Sequence, residues 1–133
     1  MSVALEPDSA TPIAAGPIVW VIDADHWPRA LLVAELAERG YDTFGFPDVT
    51  RALAALHAPG KTAPTLAVIE LSAADPRQAE VRQIASRGIR LLGLTDARSA
   101  RGALAHEIPW SALMRRPCTI GEIADRVESL LAS

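Results

Sequence analysis

Short apolar runs alternate along this chain with stretches of helical spacing. Ile18-Val19-Trp20-Val21-Ile22 is an unbroken apolar run, the pattern of a parallel strand covered on both faces. A helix follows, with Pro28 in its first turn, where a missing N–H does no harm, and Gly40 placed to end it in a left-handed cap. Tyr41 to Phe46 reads as a second strand, and its mixed polarity and Gly45 suggest a sheet edge. Asp48 is placed to cap a short helix with Val49, Leu53 and Leu56 on one face. His57 to Pro64 is a Pro/Gly loop.

Leu66-Ala67-Val68-Ile69-Glu70 is a third strand, an apolar run ending in one acid. Asp75-Pro76 gives a cap followed by proline at the first helical position. That helix turns Val81, Ile84 and Ala85 inward and ends at Gly88. Ile89 to Thr95 is a fourth strand. Ser99 to Glu107 is a weak helix, interrupted by Gly102 at a cost of about 1 kcal/mol relative to Ala. Ser111 to Arg115 is a fifth strand. In the last helix Thr119 and Glu122 have capping-box spacing, and Ile120, Ile123, Ala124, Val127, Leu130 and Leu131 keep the helical period.

Five strand–helix units predict an α/β protein: a flavodoxin-like (βα)5 three-layer sandwich around a parallel five-stranded sheet in the order 2-1-3-4-5. Its site belongs at the carboxyl ends of the first and third strands, beside the switch in strand order. Residues 1–16 have no periodicity and read as a flexible leader; 17–133 form one domain.

Composition narrows the chemistry. Half the residues are hydrophobic but only 5% aromatic, so aliphatic side chains must fill the core. A formal charge of −3, with Lys61 as the only lysine, argues against a nucleic-acid partner. Cys118 is the single cysteine, so no intramolecular disulfide forms, which fits a cytoplasmic setting. No apolar run approaches the roughly 20 residues that span a bilayer. His26, His57 and His106 share no metal-ligand spacing. Trp20 reads as core, Trp27 and Trp110 as loop-flanking residues with an exposed contact role as the lesser of the alternatives, Asp25 as a helix cap, and Arg98 and Arg101 as a solvated helix face.

The strand ends carry a resemblance. Asp23 follows the first strand, Glu70 ends the third, Thr95 ends the fourth, and Arg116-Pro117 follows the fifth. From about Ile18 to Leu131 the chain resembles the receiver domains of two-component response regulators. The resemblance implies a phosphorylated aspartate at the place of Glu70 and a second acid, a direct metal ligand, at Ala24. It implies lysine at Arg116 and an aromatic residue at Leu113, while Arg29 and Gly40 match the family pattern.

Three departures therefore meet at one site. Alanine supplies no donor to Mg²⁺, which needs carboxylates in tight octahedral geometry. Glutamate sets its carboxylate roughly 1.5 Å beyond that of aspartate, and errors near 1 Å can cost about a hundredfold in rate. Arginine is a fork suited to a carboxylate, which predicts a fixed Glu70–Arg116 ion pair. The degenerate phosphoacceptor site is then Asp23, Ala24, Glu70, Thr95, Arg116 and Pro117.

The resemblance thus implies a pseudo-receiver, not an enzyme, with Mg²⁺ binding lost or weak and no other cofactor. The chain stops at the fifth helix, so a stand-alone receiver is expected, acting by protein contact. Its partners would be a histidine kinase or an output regulator, with no membrane. A homodimer would use the face made by the fourth helix, fifth strand and fifth helix. Two alternatives stand beside this: a weakly phosphorylatable receiver in a phosphorelay, and a small flavodoxin-like nucleotide or flavin binder. Against the last, Asp23-Ala24-Asp25-His26-Trp27-Pro28 after the first strand has two acids and no glycine to cradle phosphate.

Overall fold

The structure is a computed structural model that describes residues 16–60, 62–74 and 77–133. Five strands form one parallel sheet: β1 (Ile18–Ile22), β2 (Asp42–Phe46), β3 (Leu66–Glu70), β4 (Arg90–Thr95) and β5 (Ala112–Arg115). The order is β2-β1-β3-β4-β5, the flavodoxin-like 2-1-3-4-5 arrangement the strand pattern predicts. The helices are α1 (His26–Glu38), α2 (Val49–His57), α3 (Gln78–Ala85), α4 (Ala103–Glu107) and α5 (Ile120–Ala132), with 3-10 turns at Leu71–Ala73 and Ser99–Arg101.

Alternation along β1, β3 and β4 supplies two cores. Trp20, Ile22, Ala67, Ile69 and Leu91 face one side and pack against Val49, Leu53, Val81, Ile84 and Leu104 of the helices there. Val19, Val21, Leu66, Val68 and Leu92 face the other and meet Leu32, Leu36, Ile123 and Val127 of α1 and α5. Side chains on successive strand residues point to opposite faces. A run apolar at every position is therefore the signature of a strand covered twice. Among the described residues β2 pairs only with β1 and is the edge its mixed polarity announced.

The punctuation is local chemistry. Gly40 and Gly88 take φ of +97° and +78° after α1 and α3, a conformation that strains any residue with a Cβ. The Asp48 side chain accepts from the Arg51 N–H at 2.8 Å and starts α2. Thr119 and Glu122 complete their capping box, with bonds of 3.0 and 2.8 Å. Across the helices, Arg39 at the end of α1 reaches Glu35 at 2.9 Å and Asp125 and Glu128 of α5 at 2.8 and 3.3 Å.

Some expectations need correction. The expected helix over Ser99–Glu107 is split: Gly102 is extended (φ −84°, ψ 169°), leaving a 3-10 turn and a five-residue α4. Glycine gains nothing from helical geometry, and no side chain caps the second segment. Asp25 occupies the cap position of α1, but its side chain makes no capping bond. Trp110 is half-buried, its Nε1–H donating to the Leu104 carbonyl at 2.8 Å. Trp27 is 69% exposed. The Asp75-Pro76 cap and nearly all of the 1–16 leader lie outside the described residues. No helix among the described residues is long and apolar enough to cross a membrane.

Leu92 is fully buried, while Leu31 is 54% exposed. Leu92→Ala should lower stability by about 2–5 kcal/mol, and Leu31→Ala should stay within about 0.5 kcal/mol of the parent. Urea unfolding followed by circular dichroism checks both.

Candidate functional site

Parallel strands end at one rim, so Asp23, Glu70, Thr95 and Arg116 come to the same end of the sheet. The last apolar residues of β1 carry Asp23 down with them, and it is only 4% exposed. Its Oδ1 accepts from the Asp25 N–H at 2.9 Å, and its carbonyl accepts from Arg29 Nη1 at 2.7 Å. Arg29 thus secures the loop from the first turn of α1.

Burial raises the Asp23 pKa above the ordinary 3.8; the Asp25 N–H opposes that shift, nearby Glu70 adds to it, and Arg116 opposes it. Arg116 is the cation that meets this carboxylate. Its Nη2 lies 3.4 Å from Asp23 Oδ2, and its backbone N–H donates to the Thr95 carbonyl at 2.7 Å. The Arg116 Nε is buried without a hydrogen-bond partner among the described residues. The Arg116–Pro117 peptide is cis.

The expected Glu70–Arg116 ion pair does not form. Glu70 turns back on its own backbone and caps the 3-10 turn that follows. Its Oε2 accepts from the Ser72 N–H at 3.2 Å, and its Oε1 accepts from the Ser72 hydroxyl. A partner two residues away costs almost no chain ordering to reach. Asp23 has the stronger claim on Arg116, since an unpaired buried charge costs several kcal/mol and a half-exposed one does not.

Thr95 is also 4% exposed. Its hydroxyl donates to the Asp96 carbonyl at 3.1 Å and lies 2.8 Å from the Ser99 hydroxyl. Asp96 accepts from the Ser99 N–H and hydroxyl at 2.8 and 2.9 Å, and these bonds hold its pKa below the ordinary value. Ser72 and Ser99, which pair with Glu70 and Thr95, were not singled out in the sequence. The Asp96-x-x-Ser99 spacing was the available signal for one of them. Ala24 is exposed and presents only a methyl group. Among the described residues no three His, Cys, Asp or Glu side chains converge as a metal site would require. A cleft of about 470 Å³ opens beside the rim, lined by Leu71, Ser72, Asp96, Arg98, Ser99 and Leu104 among others.

No protein-family model matches the chain, and no curated protein matches it. Solved structures do. NtrX from Brucella abortus matches with a TM-score of 0.72 at 18% identity, over 87% of this chain and 27% of its own. The chain therefore spans about a quarter of that protein. The receiver domain of the Francisella response regulator 1452 matches at TM-score 0.69 and 19% identity, over 86% of this chain and 96% of its own. A response regulator receiver protein from Pseudomonas putida matches at 0.70 and 20%, over 88% and 99%. At these identities the likeness is one of fold: the chain has the architecture of response regulator receiver domains.

The raised pKa sets a pH dependence. A carboxyl whose pKa rises on folding favours the folded state while protonated and loses that contribution as pH climbs through the folded value. Asp23→Asn keeps an acceptor for the Asp25 N–H and removes the buried charge. Its urea midpoint should exceed the parent's at pH 7. The gain should close as pH falls toward 3.8, with equilibrium unfolding across pH as the check.

Proposed function

We propose that this chain is a degenerate receiver, a signal-transduction module that works through protein contacts without aspartyl phosphorylation. One observation carries the reading: the Glu70 carboxylate, at the place of the phosphorylated aspartate, is committed to Ser72 as the cap of the next turn. A nucleophile must reach the phosphorus in line and within about 3–3.5 Å. A carboxylate bonded at both oxygens to its own backbone neighbourhood gives up that freedom.

The rim also does not fit the Mg²⁺ that receiver chemistry uses. Ala24 offers no oxygen. Asp23 is engaged by a backbone N–H and by Arg116, whose charge opposes a second cation. Glu70 is held by Ser72. On this reading the rim performs no phosphoryl step and the protein acts as a signalling module, not an enzyme.

Contact surfaces support the other half of the proposal. The outward side of α1 carries Trp27 and Leu31, 69% and 54% exposed, and β5 carries Leu113, 39% exposed. The face formed by α4, β5 and α5 is the one proposed to meet an output regulator, and a histidine kinase is a further candidate partner. The response regulators among the solved neighbours support a place in two-component signalling.

Incubation with Mg²⁺ and a small phosphodonor, followed by intact-mass measurement, tests this. The parent chain should gain no phosphoryl group, while Ala24→Asp combined with Glu70→Asp should gain one. A clear gain by the parent would sink the reading.

A further inference from the structure

We infer that β2 is a pairing edge, through which two copies of this chain join their sheets antiparallel about Phe44. The inference stands apart from the reading of the rim. Its first support is the direction of the backbone groups. The Asp42 N–H donates to the Pro17 carbonyl and the Phe46 carbonyl accepts from the Asp23 N–H, both at 3.0 Å, so residues 42 and 46 face β1. Alternation gives 44 the same direction and turns the N–H and C=O of Thr43 and Gly45 outward. This edge, unpaired among the described residues, therefore offers bonding positions on either side of a non-bonding centre.

That sequence of positions is its own antiparallel complement. Setting Phe44 against Phe44 of a second copy places each Thr43 opposite the other copy's Gly45. Each such pair exchanges both backbone bonds, and the Phe44 pair occupies the close, unbonded position between them. A one-residue slip would set outward groups against inward ones and lose every bond.

Side chains agree with the register. Phe44 pairs laterally with Trp20, so it projects on the α2 side of the sheet, where it is 49% exposed. It borders a groove of about 300 Å³ lined by Ile18, Trp20, Phe46 and Ala55 among others. Trp20 and Phe46 stand with ring centroids 4.7 Å apart. A second copy's Phe44 would enter beside these rings, adding aromatic contacts across the new strand pair. On the opposite face Gly45 lies under the Arg29 chain, where an added Cβ would stand 3.1 Å from its Cγ and Cδ.

Charge points to a second copy as well. Asp42 is exposed at the start of β2, and Arg51, with a side chain 68% exposed and paired with Asp48 at 3.0 Å, follows β2 in the first turn of α2. Antiparallel docking carries Asp42 of each copy toward the strand end near which the other's Arg51 lies. The three residues between Asp42 and Phe46 carry no charge or proline, the usual devices that keep an edge single.

Sedimentation velocity from micromolar to sub-millimolar concentration tests the dimer. The parent should dimerise with concentration, and Phe44→Lys should stay monomeric throughout with an unchanged circular dichroism spectrum. Register is read separately in a Cys118→Ser background. Phe44→Cys should oxidise to a disulfide dimer, since unbonded antiparallel pairs hold Cα atoms about 4.5 Å apart, within disulfide reach. Asp42→Cys should not, because the two positions would lie roughly 13 Å apart. A parent that is monomeric at every concentration, a dimer that survives Phe44→Lys, a dimer lost only in Leu113→Lys, or cross-linking at 42 in preference to 44 would each overturn the inference.

Discussion

The carboxylate of Asp23 sits almost out of water, and the arrangement of the rim follows from the need to compensate it. β1 is buried on both faces, so its continuation is buried too. A charge there requires hydrogen bonds and a cation, and these come from the Asp25 N–H and Arg116. Arg116 is in turn held by the Thr95 carbonyl, which ties the end of β4 to the residue after β5. Three strand ends are thereby fixed relative to one another by one buried charge. Glu70 takes no part in that compensation and is left to its local partner.

This division explains which parts of the molecule could be read from residues alone. Strand order and layers were legible because a doubly covered strand must be apolar at every position, as in Ile18 to Ile22 and Leu66 to Ile69. Caps were legible because they depend on neighbours within four residues, as at Asp48 and Thr119. Asp25 is the instructive exception, having the right residue type and backbone at the cap position but no capping bond from its side chain.

Pairings among side chains were harder. Asp23, Glu70, Thr95 and Arg116 do share one rim, yet the lengths of the two side chains suggest a Glu70–Arg116 pair that does not form. Depth decides the pairing instead, and relative depth at a strand end is a tertiary quantity. The setting of Trp110 is tertiary in the same way, since its indole partner is a carbonyl six residues away in a helix whose position depends on packing. At Gly102 the sequence showed a weakness and the structure shows a break.

That break has a thermodynamic consequence for the whole molecule. α1 and α5 are joined by the Arg39 cluster and bury a continuous set of aliphatic side chains. The short α4 contributes Leu104 to the core, followed by Ile108 in the segment after it. Amide hydrogens of residues 99–107 should then be released by a smaller excursion than those on the α1–α5 side. Shape change should therefore come at less cost on the α4 surface than on the α1–α5 side.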